Sequence, residues 1–183
     1  IRAPHIVPPL MMAQKENFPN IKIILHEGSG GDLYNLLKEG SLDLMFANIR
    51  EPQPGWVSLT LKREPLLLVA PKGHPLTSMA RKGSGPYPWI DLALLKQEHF
   101  ILLPESYSIR YYMEKLFKSL GWFPKKFTVY SQVATSLGMI AAGEGIGFIL
   151  ESYLTYFQQA ASVLAFSVGA PPVQTEFGVT YSR

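Results

Sequence analysis

A glycine-rich turn near the start of the chain carries residue types that bind small anions. It runs Gly28-Ser29-Gly30-Gly31-Asp32 and joins a β-rich segment to a helical one. Such a turn presents backbone N–H groups and the positive end of a helix, and both attract negative charge. It has neither the Gly-Lys-Ser/Thr sequence of a P-loop nor the glycine spacing of a dinucleotide fold. An anion site and a tight turn without a ligand are therefore both open for this segment.

Polar residues follow two other predicted strands. Ser106 and Ser108 precede a helix just as the first turn does, and Ser108 is of the right type to cap that helix. A hydroxyl can cap a helix and still face a cleft, so both roles are open for it. Asn48 comes directly after a predicted strand, where open α/β sheets place their ligand groups.

The residue types that could catalyse a reaction or bind a metal do not occur at the spacing that those functions need. The four histidines (His5, His26, His74 and His99) show no metal-ligand spacing, and no Gly-x-Ser-x-Gly elbow is present. The chain has no cysteine, which excludes thiolate nucleophiles, disulfides and cysteine-bound metals. The run 143–147 resembles a nucleotide loop but follows a helix and precedes a strand, so we interpret it as a close turn. We therefore predict a protein that is not an enzyme and needs no metal or cofactor.

The elements that position these turns alternate between strand and helix. Apolar periodicity and the Gly and Pro positions predict helices at about 7–18, 32–40, 109–120, 133–142 and 151–159. They predict strands at 21–27, 42–47, 57–61, 66–70, 99–103, 127–130, 146–150, 163–166 and 177–181, and an exposed loop at 79–90. A strand, a glycine turn, a helix and another strand indicate a parallel sheet. The pattern restarts after residue 98, so we expect an α/β fold of two Rossmann-like subdomains with a cleft between them.

Composition limits the function further. The chain has 183 residues, 47% of them hydrophobic, and a net charge of +3 from basic residues that are scattered. A nucleic-acid-binding surface more usually clusters such residues in a stripe. The uncharged stretch 152–175 is long enough for a bilayer, but its glutamines, serines and prolines favour a helix, a strand and a loop instead. No signal peptide is visible at Ile1, and we expect the chain to be a fragment.

Several short runs, in order and across nearly the whole chain, resemble the effector-binding domain of LysR-type transcriptional regulators. They are Phe18-Pro19-Asn20-Ile21-Lys22-Ile23, Glu27-Gly28, Leu36-Leu37-Lys38-Glu39-Gly40-Ser41-Leu42-Asp43-Leu44, Glu64-Pro65-Leu66-Leu67-Leu68-Val69-Ala70-Pro71-Lys72-Gly73-His74-Pro75-Leu76, Arg110 after Leu103-Pro104, Gly121-Trp122-Phe123-Pro124, and Ala141-Ala142-Gly143-Glu144-Gly145-Ile146-Gly147-Phe148. Leu150 departs from the family, which usually has proline there. By the same resemblance, the usual first strand lies before Ile1 and the usual last helix after Arg183.

The resemblance implies a fold like type II periplasmic binding proteins: two Rossmann-like subdomains joined by two crossover strands, with the ligand cleft between them. Subdomain I would comprise 1–68 plus 166–183 and subdomain II 69–165, with crossovers near 67–71 and 164–166. Carried over by position, the effector-binding residues are Ser29, Gly30, Gly31, Asn48, Ser106, Tyr107 and Ser108, and Arg2 or Ala3 ends the loop after the first strand. Because both helix N-termini would point into one cleft, we expect an anionic ligand such as a carboxylate.

As a member of this family the chain would sense a small effector, form a homodimer or homotetramer, and act in the cytoplasm. It would contact DNA only through a winged helix-turn-helix domain that this sequence lacks, and it would not contact membrane. A periplasmic solute-binding protein is the alternative on a similar fold. An enzyme on an α/β scaffold is a second rival, but it needs an acid, base or nucleophile that the sequence does not reveal.

Overall fold

A computed structural model describes residues 2–51 and 53–182 as a mixed α/β structure. The helices are α1 (Ala3–Asn17), α2 (Gly30–Lys38), α3 (Leu76–Met79), α4 (Ser108–Ser119), α5 (Val133–Ala141) and α6 (Tyr153–Tyr156), with 3₁₀ turns at Leu92–Leu95 and Gln158–Ser162. The strands are β1 (Leu44–Asn48), β2 (Trp56–Pro71), β3 (His99–Leu102), β4 (Lys126–Val129), β5 (Ile146–Leu150), β6 (Val163–Ser167) and β7 (Gln174–Ser182). The predicted α/β class is confirmed.

The strands form one mixed sheet in the order β1-β7-β2-β5-β3-β4, with β6 also paired to β2. Strand β3 runs parallel to β4 and to β5, and α4 and α5 connect these three strands along the chain. The other pairs, β1–β7, β2–β7, β2–β5 and β2–β6, are antiparallel. The predicted parallel sheet is therefore correct only for this second α/β unit.

Strand β2 is a single strand where the sequence predicted two. Its first part pairs with β7 as far as Pro65, and from Leu66 onward it pairs with β5 and β6 instead. One strand thus belongs to both halves of the sheet. The first half consists of β1, β7 and the first part of β2, and the second half consists of the rest of β2 with β3, β4, β5 and β6. The second link between the halves is the segment 168–173, which leads from β6 to β7. The division into 1–68 plus 166–183 and 69–165 remains a proposal.

The main apolar core lies in the second half. The run Leu66–Ala70 is fully buried, which suits a strand covered on both faces. Phe100 and Phe117 meet edge to face there with ring centroids 5.5 Å apart. The uncharged stretch 152–175 forms α6, a 3₁₀ turn, β6 and the start of β7. Within residues 2–51 and 53–182, no helix has both the length and the hydropathy needed to cross a bilayer.

The predicted strand 21–27 is wrong. This segment forms no ladder with any described residue, and Ile21, Ile24 and Leu25 are exposed. High β-propensity fits a residue to a sheet but does not supply the neighbouring strand that a ladder needs. The first α/β unit therefore lacks its predicted opening strand.

Several element boundaries also differ from the predictions. Helix α1 begins at Ala3, so Pro8 and Pro9 lie inside it rather than at its start. The predicted helix 151–159 is only the single turn α6 followed by a 3₁₀ turn. Ser108 does not cap α4, because Tyr107 occupies the N-cap position and no side chain caps this helix within the described residues.

A buried ion pair lies where β2 passes from one half to the other. Glu64 is fully buried and accepts hydrogen bonds from the Arg2 guanidinium and, at 2.9 Å, from the Ser152 backbone N–H. Arg2 also lies over the Phe177 ring, 4.2 Å from its centroid. Burial alone would raise the pKa of Glu64, but the positive charge of Arg2 and the Ser152 N–H outweigh burial and lower that pKa below its ordinary value of 4.5.

This ion pair predicts a pH-dependent stability. Because the pKa of Glu64 is lowered on folding, its contribution is present above pH 4.5 and is lost as the pH falls through the folded-state pKa. Glu64→Gln leaves Arg2 buried without its counter-charge, which costs about 3 kcal/mol at pH 7. Urea unfolding at pH 7 and at a pH well below 4.5 should give a deficit that is larger at pH 7 than at the lower pH. Glu39→Gln, at an exposed carboxylate, is the control, and an equal Glu64→Gln deficit at both pH values would contradict this assignment.

Candidate functional site

The N-terminal turns of α2 and α4 lie in direct contact across the two halves. The Gly31 N–H donates to the Ser106 carbonyl at 2.9 Å. A Cβ on Gly30 would lie 2.7 Å from Ser108 Oγ, and one on Gly31 would lie 3.0 Å from the Ser106 carbonyl oxygen. A side chain at Gly31 would press on the Ser106 backbone and hold the turns apart, whereas one at Gly30 would meet only the Ser108 hydroxyl, which can rotate away. Gly30, Gly31, Ser106 and Ser108, which the sequence predicted for one cleft, are brought together.

The two helix ends differ in how much positive charge they leave available. Ser29 Oγ accepts from the Asp32 N–H at 3.2 Å, and the Asp32 carboxylate accepts from the Ser29 N–H, which completes a capping box. The Asp32 carboxylate thus offsets the positive end of α2. Helix α4 has no acidic residue in its first turn. Its N-terminus is therefore the more attractive of the two for an anion.

Asn48 provides an unused donor at the carboxyl end of β1. It is only 8% exposed, and its Nδ2 has no hydrogen-bond partner among the described residues. Burying an unpaired amide is unfavourable by about 1–3 kcal/mol. Asn48 lines a small cavity together with Gly30, Tyr34, Arg50 and Trp56. The donor is thus available to a ligand beside the contact between the two turns.

Arg50, two residues beyond Asn48, reaches across to the second half. Its Nη2 donates to the Ser106 carbonyl at 3.1 Å, so that oxygen accepts from both Arg50 and Gly31. The guanidinium also lies 5.3 Å from the Tyr111 ring centroid. Arg50 was not among the residues predicted for the site, although its position just after a strand end is the signal that identified Asn48.

Further contacts hold the same two segments together. The Tyr112 hydroxyl donates to the Ile49 carbonyl, and Lys115 Nζ lies 3.0 Å from Glu51 Oε1. The hydrogen bond from Lys115 is the main cause that lowers the pKa of Glu51. Both charged side chains are exposed, so solvent screens this ion pair and its contribution is small.

These contacts leave the cleft closed. The cavity beside Asn48 has a volume of about 20 Å³. A single water molecule requires roughly 10–15 Å³ by the same kind of measure, whereas ligand pockets span about 300–1,000 Å³. The cavity beside Asn48 is therefore too small for a metabolite in this arrangement of the α2 and α4 turns.

Two of the predicted site residues have their polar side-chain atoms engaged within their own half. The Ser29 hydroxyl is held by Asp32, as described above. The Tyr107 hydroxyl donates to the Ser131 carbonyl at 2.9 Å. Neither residue lines the cavity beside Asn48.

Arg110 is buried and donates to the Leu103 carbonyl at 3.1 Å, so it helps to hold the turn that carries Ser106.

The groups that meet here are hydrogen-bond donors. Arg50, the Asn48 amide and the backbone N–H of Gly31 are all hydrogen-bond donors. Within residues 2–51 and 53–182, no group of three or more His, Asp or Glu side chains converges as metal ligands would. The geometry suits an acceptor-rich, negatively charged ligand.

Comparison with known proteins identifies the relatives of this chain. HTH-type transcriptional regulator BenM of Acinetobacter baylyi is 28% identical over 146 residues, which are 79% of this chain and 46% of BenM. The uncharacterized HTH-type transcriptional regulator YybE of Bacillus subtilis is 31% identical over 146 residues, 79% of this chain and 47% of YybE. The chain spans about half the length of these two transcriptional regulators.

Solved structures have the same fold. The BenM effector-binding domain with its effector benzoate matches with a TM-score of 0.73 and 25% identity, over 97% of this chain and 78% of that one. The effector-binding domain of QuiR in complex with shikimate matches with a TM-score of 0.76 over 98% of this chain and 81% of that one. At 20% identity, the QuiR match shows the fold alone.

These neighbours have the two-subdomain, periplasmic-binding-protein-like fold that the sequence predicted, and the periplasmic transport alternative is not favoured. The family described as LysR substrate binding domain matches residues 2–183. The chain therefore belongs to the LysR substrate-binding domain family.

Proposed function

We propose that this domain senses a small carboxylate or other anion, which binds where the α2 and α4 turns meet. The observation that carries the proposal is the buried, unpartnered amide of Asn48 beside the guanidinium of Arg50. Two hydrogen bonds already converge on the Ser106 carbonyl, from Gly31 and Arg50. A carboxylate that enters the opened cleft takes over these donors and adds a bond to Asn48. That BenM has benzoate as its effector supports a carboxylate for this site.

Each predicted residue has a distinct role in this proposal. Gly30 and Gly31 allow the turns to approach, and Ser108 presents its hydroxyl opposite Gly30. The α4 N-terminus contributes backbone donors and the positive end of a helix. Ser29 and Tyr107 act indirectly, because their hydroxyls position Asp32 and the segment around Ser131.

Binding can change the arrangement of the two halves. The closed cleft is held by Gly31–Ser106, Arg50–Ser106, Tyr112–Ile49 and Lys115–Glu51. A ligand that binds one arrangement better than the other shifts their populations by its difference in affinity, and by no more than that. In the complete regulator, this shift would change how DNA-binding domains are presented to DNA. The domain is then a sensor and not an enzyme, and it acts in the cytoplasm where the DNA lies.

Exposed apolar side chains support self-association. The α1 patch consists of exposed apolar residues near the end of α1 and in the segment after it: Met12, Phe18, Ile21, Ile24 and Leu25. The β4 patch surrounds the end of α4 and the edge strand β4; it comprises Leu120, Phe123, Phe127 and Val129. Contiguous exposed apolar surface marks protein interfaces. We propose that the chain forms a twofold dimer through one or both of these patches.

Arg50→Gln tests the binding site. A ligand at about 100 times its Kd stabilises the domain by roughly 2.7 kcal/mol, or about 5–10 °C in Tm. A thermal-shift series of sodium benzoate, shikimate and other small carboxylates should therefore find a stabilising compound. Because Arg50→Gln removes a charged hydrogen bond worth about 1.5–3 kcal/mol, it should weaken that compound by about tenfold or more. Lys38→Gln, at an exposed lysine at the end of α2, removes the same charge and should leave binding unchanged. An Arg50→Gln variant that binds normally would disprove the assignment.

Phe127→Glu tests the self-association. Phe127 is 45% exposed on the edge strand, so a carboxylate is tolerated in the monomer but is disfavoured in an apolar interface. Light scattering after gel filtration should show an oligomer for the wild-type chain and a shift toward monomer for this variant. Leu94→Glu, at an exposed apolar residue outside both patches, should retain the wild-type state. Equal masses for all three proteins would argue against the β4 patch as the interface.

A further inference from the structure

A loop next to the second link between the halves is fastened to that link. Arg81 and Trp89 exchange two backbone hydrogen bonds, each 2.8 Å long, and so close the loop formed by residues 81–89. The Ser167 N–H donates to the Pro88 carbonyl at 2.8 Å, and the Ile90 N–H donates to the Ser167 carbonyl at 3.0 Å. The Trp89 indole N–H donates to the Gly169 carbonyl at 2.8 Å. The 81–89 loop is therefore held in place against the segment 168–173.

A broad depression that is largely open to solvent lies between this loop and this segment, and it is called the second cavity below. Its volume is about 390 Å³, compared with about 20 Å³ for the cavity beside Asn48. Ligand pockets span about 300–1,000 Å³. Its walls include Arg81, Lys82 and Trp89 on the loop side and Gly169, Pro171 and Pro172 on the other. This cavity needs no separation of the two halves before a molecule can enter.

The charge of the lining specifies the ligand. Arg81 and Lys82 are exposed and make no ion pair with any described residue. None of the residues that line the cavity is acidic. Two neighbouring cations without a counter-charge attract an anion, at a strength that decreases with added salt.

The apolar lining specifies the rest of the ligand. The Trp89 indole N–H is already used by Gly169, so its ring offers only apolar contact. Pro171 and Pro172 supply further apolar surface. A flat ring packs well on an indole and on proline rings, and a carboxylate on that ring can reach Arg81 or Lys82.

We propose that this cavity is a second binding site, separate from the cleft, for a small aromatic carboxylate. The bound molecule contacts the 81–89 loop of the second half and the segment 168–173 that leads into β7 of the first half. Its occupancy stabilises the joint between the halves without filling the cleft. The site does not depend on the proposed effector site, since no residue lines both cavities.

The three tryptophans allow the two sites to be followed separately. Trp89 lines the second site, Trp56 lines the cavity beside Asn48, and Trp122 lines neither. Their indole N–H signals in a ¹⁵N-resolved NMR spectrum of the whole chain can be assigned with Trp89→Phe and Trp56→Phe variants. Titration with sodium benzoate should move the Trp89 signal in a saturable way. Benzamide has the ring without the charge, and acetate has the charge without the ring. Each should bind at least about fivefold more weakly than benzoate.

A charge-matched pair of variants completes the test. Arg81→Gln/Lys82→Gln should weaken benzoate at the Trp89 signal by about fivefold, because both charges are exposed and screened. Lys125→Gln/Lys126→Gln removes an adjacent, exposed basic pair elsewhere and should have no effect on this signal. The proposal is overturned if Trp89 does not respond, if benzamide equals benzoate, or if both double variants behave alike. A response at Trp56 alone would overturn the second site while leaving the cleft proposal intact.

Discussion

The buried carboxylate of Glu64 lies at the position on which the two halves of the molecule depend. Strand β2 changes ladder partners just after it, between Pro65 and Leu66. A charge can be buried there because Arg2 and the Ser152 N–H compensate it. Arg2 precedes α1, β2 carries Glu64, and Ser152 precedes α6, so one carboxylate connects three parts of the chain. Nearby, burial raises the pKa of Tyr153 to about 12, which keeps this phenol neutral beside the pair.

The closed cleft and the proposed binding mode use the same groups. The Ser106 carbonyl accepts the donors that a carboxylate would need, Gly31 and Arg50. A ligand therefore replaces these hydrogen bonds with its own. Its net binding free energy comes from the additional interactions with the Asn48 amide, the charge of Arg50 and the α4 N-terminus. Exchange of this kind gives modest affinity, but it couples binding directly to the separation of the two turns, as a sensor requires.

The positive end of α2 contributes less than its sequence suggests. The glycine-rich turn matches the pattern of an anion-binding helix start, yet Asp32 occupies the third helical position and is bonded to Ser29. Helix α4 has a less familiar start, with Tyr107 at the N-cap, but it has no acidic residue in its first turn. The charge within the first turn of a helix decides how its N-terminus acts on an anion. The N-terminus of α4 therefore attracts an anion more strongly than that of α2.

The short-range features of this protein could be read from its sequence. Helices α2, α4 and α5 and strands β3 to β6 follow from apolar periodicity and from the glycines at their ends, which are local signals. That Gly30, Gly31, Ser106 and Ser108 would face one cleft was predicted from the resemblance and from the two strand-to-helix turns, whereas their direct contact was not predicted. Each helix, strand and turn in these inferences is specified by residues within a few positions of one another, whereas the resemblance placed the two turns at one cleft.

Other features were decided only in the tertiary structure, because they depend on residues far apart in the chain. Residues 21–27 have strand-forming side chains but no strand beside them, and propensity cannot supply a partner. The sequence predicted separate strands at 57–61 and 66–70, but β7 pairs with the polar residues between them and Arg2 neutralises the charge of Glu64. Arg50 and Ser106 are 56 positions apart, and only the folded chain joins them. Sequence thus determined the elements and the family, whereas the packing of the two halves decided which side chains meet.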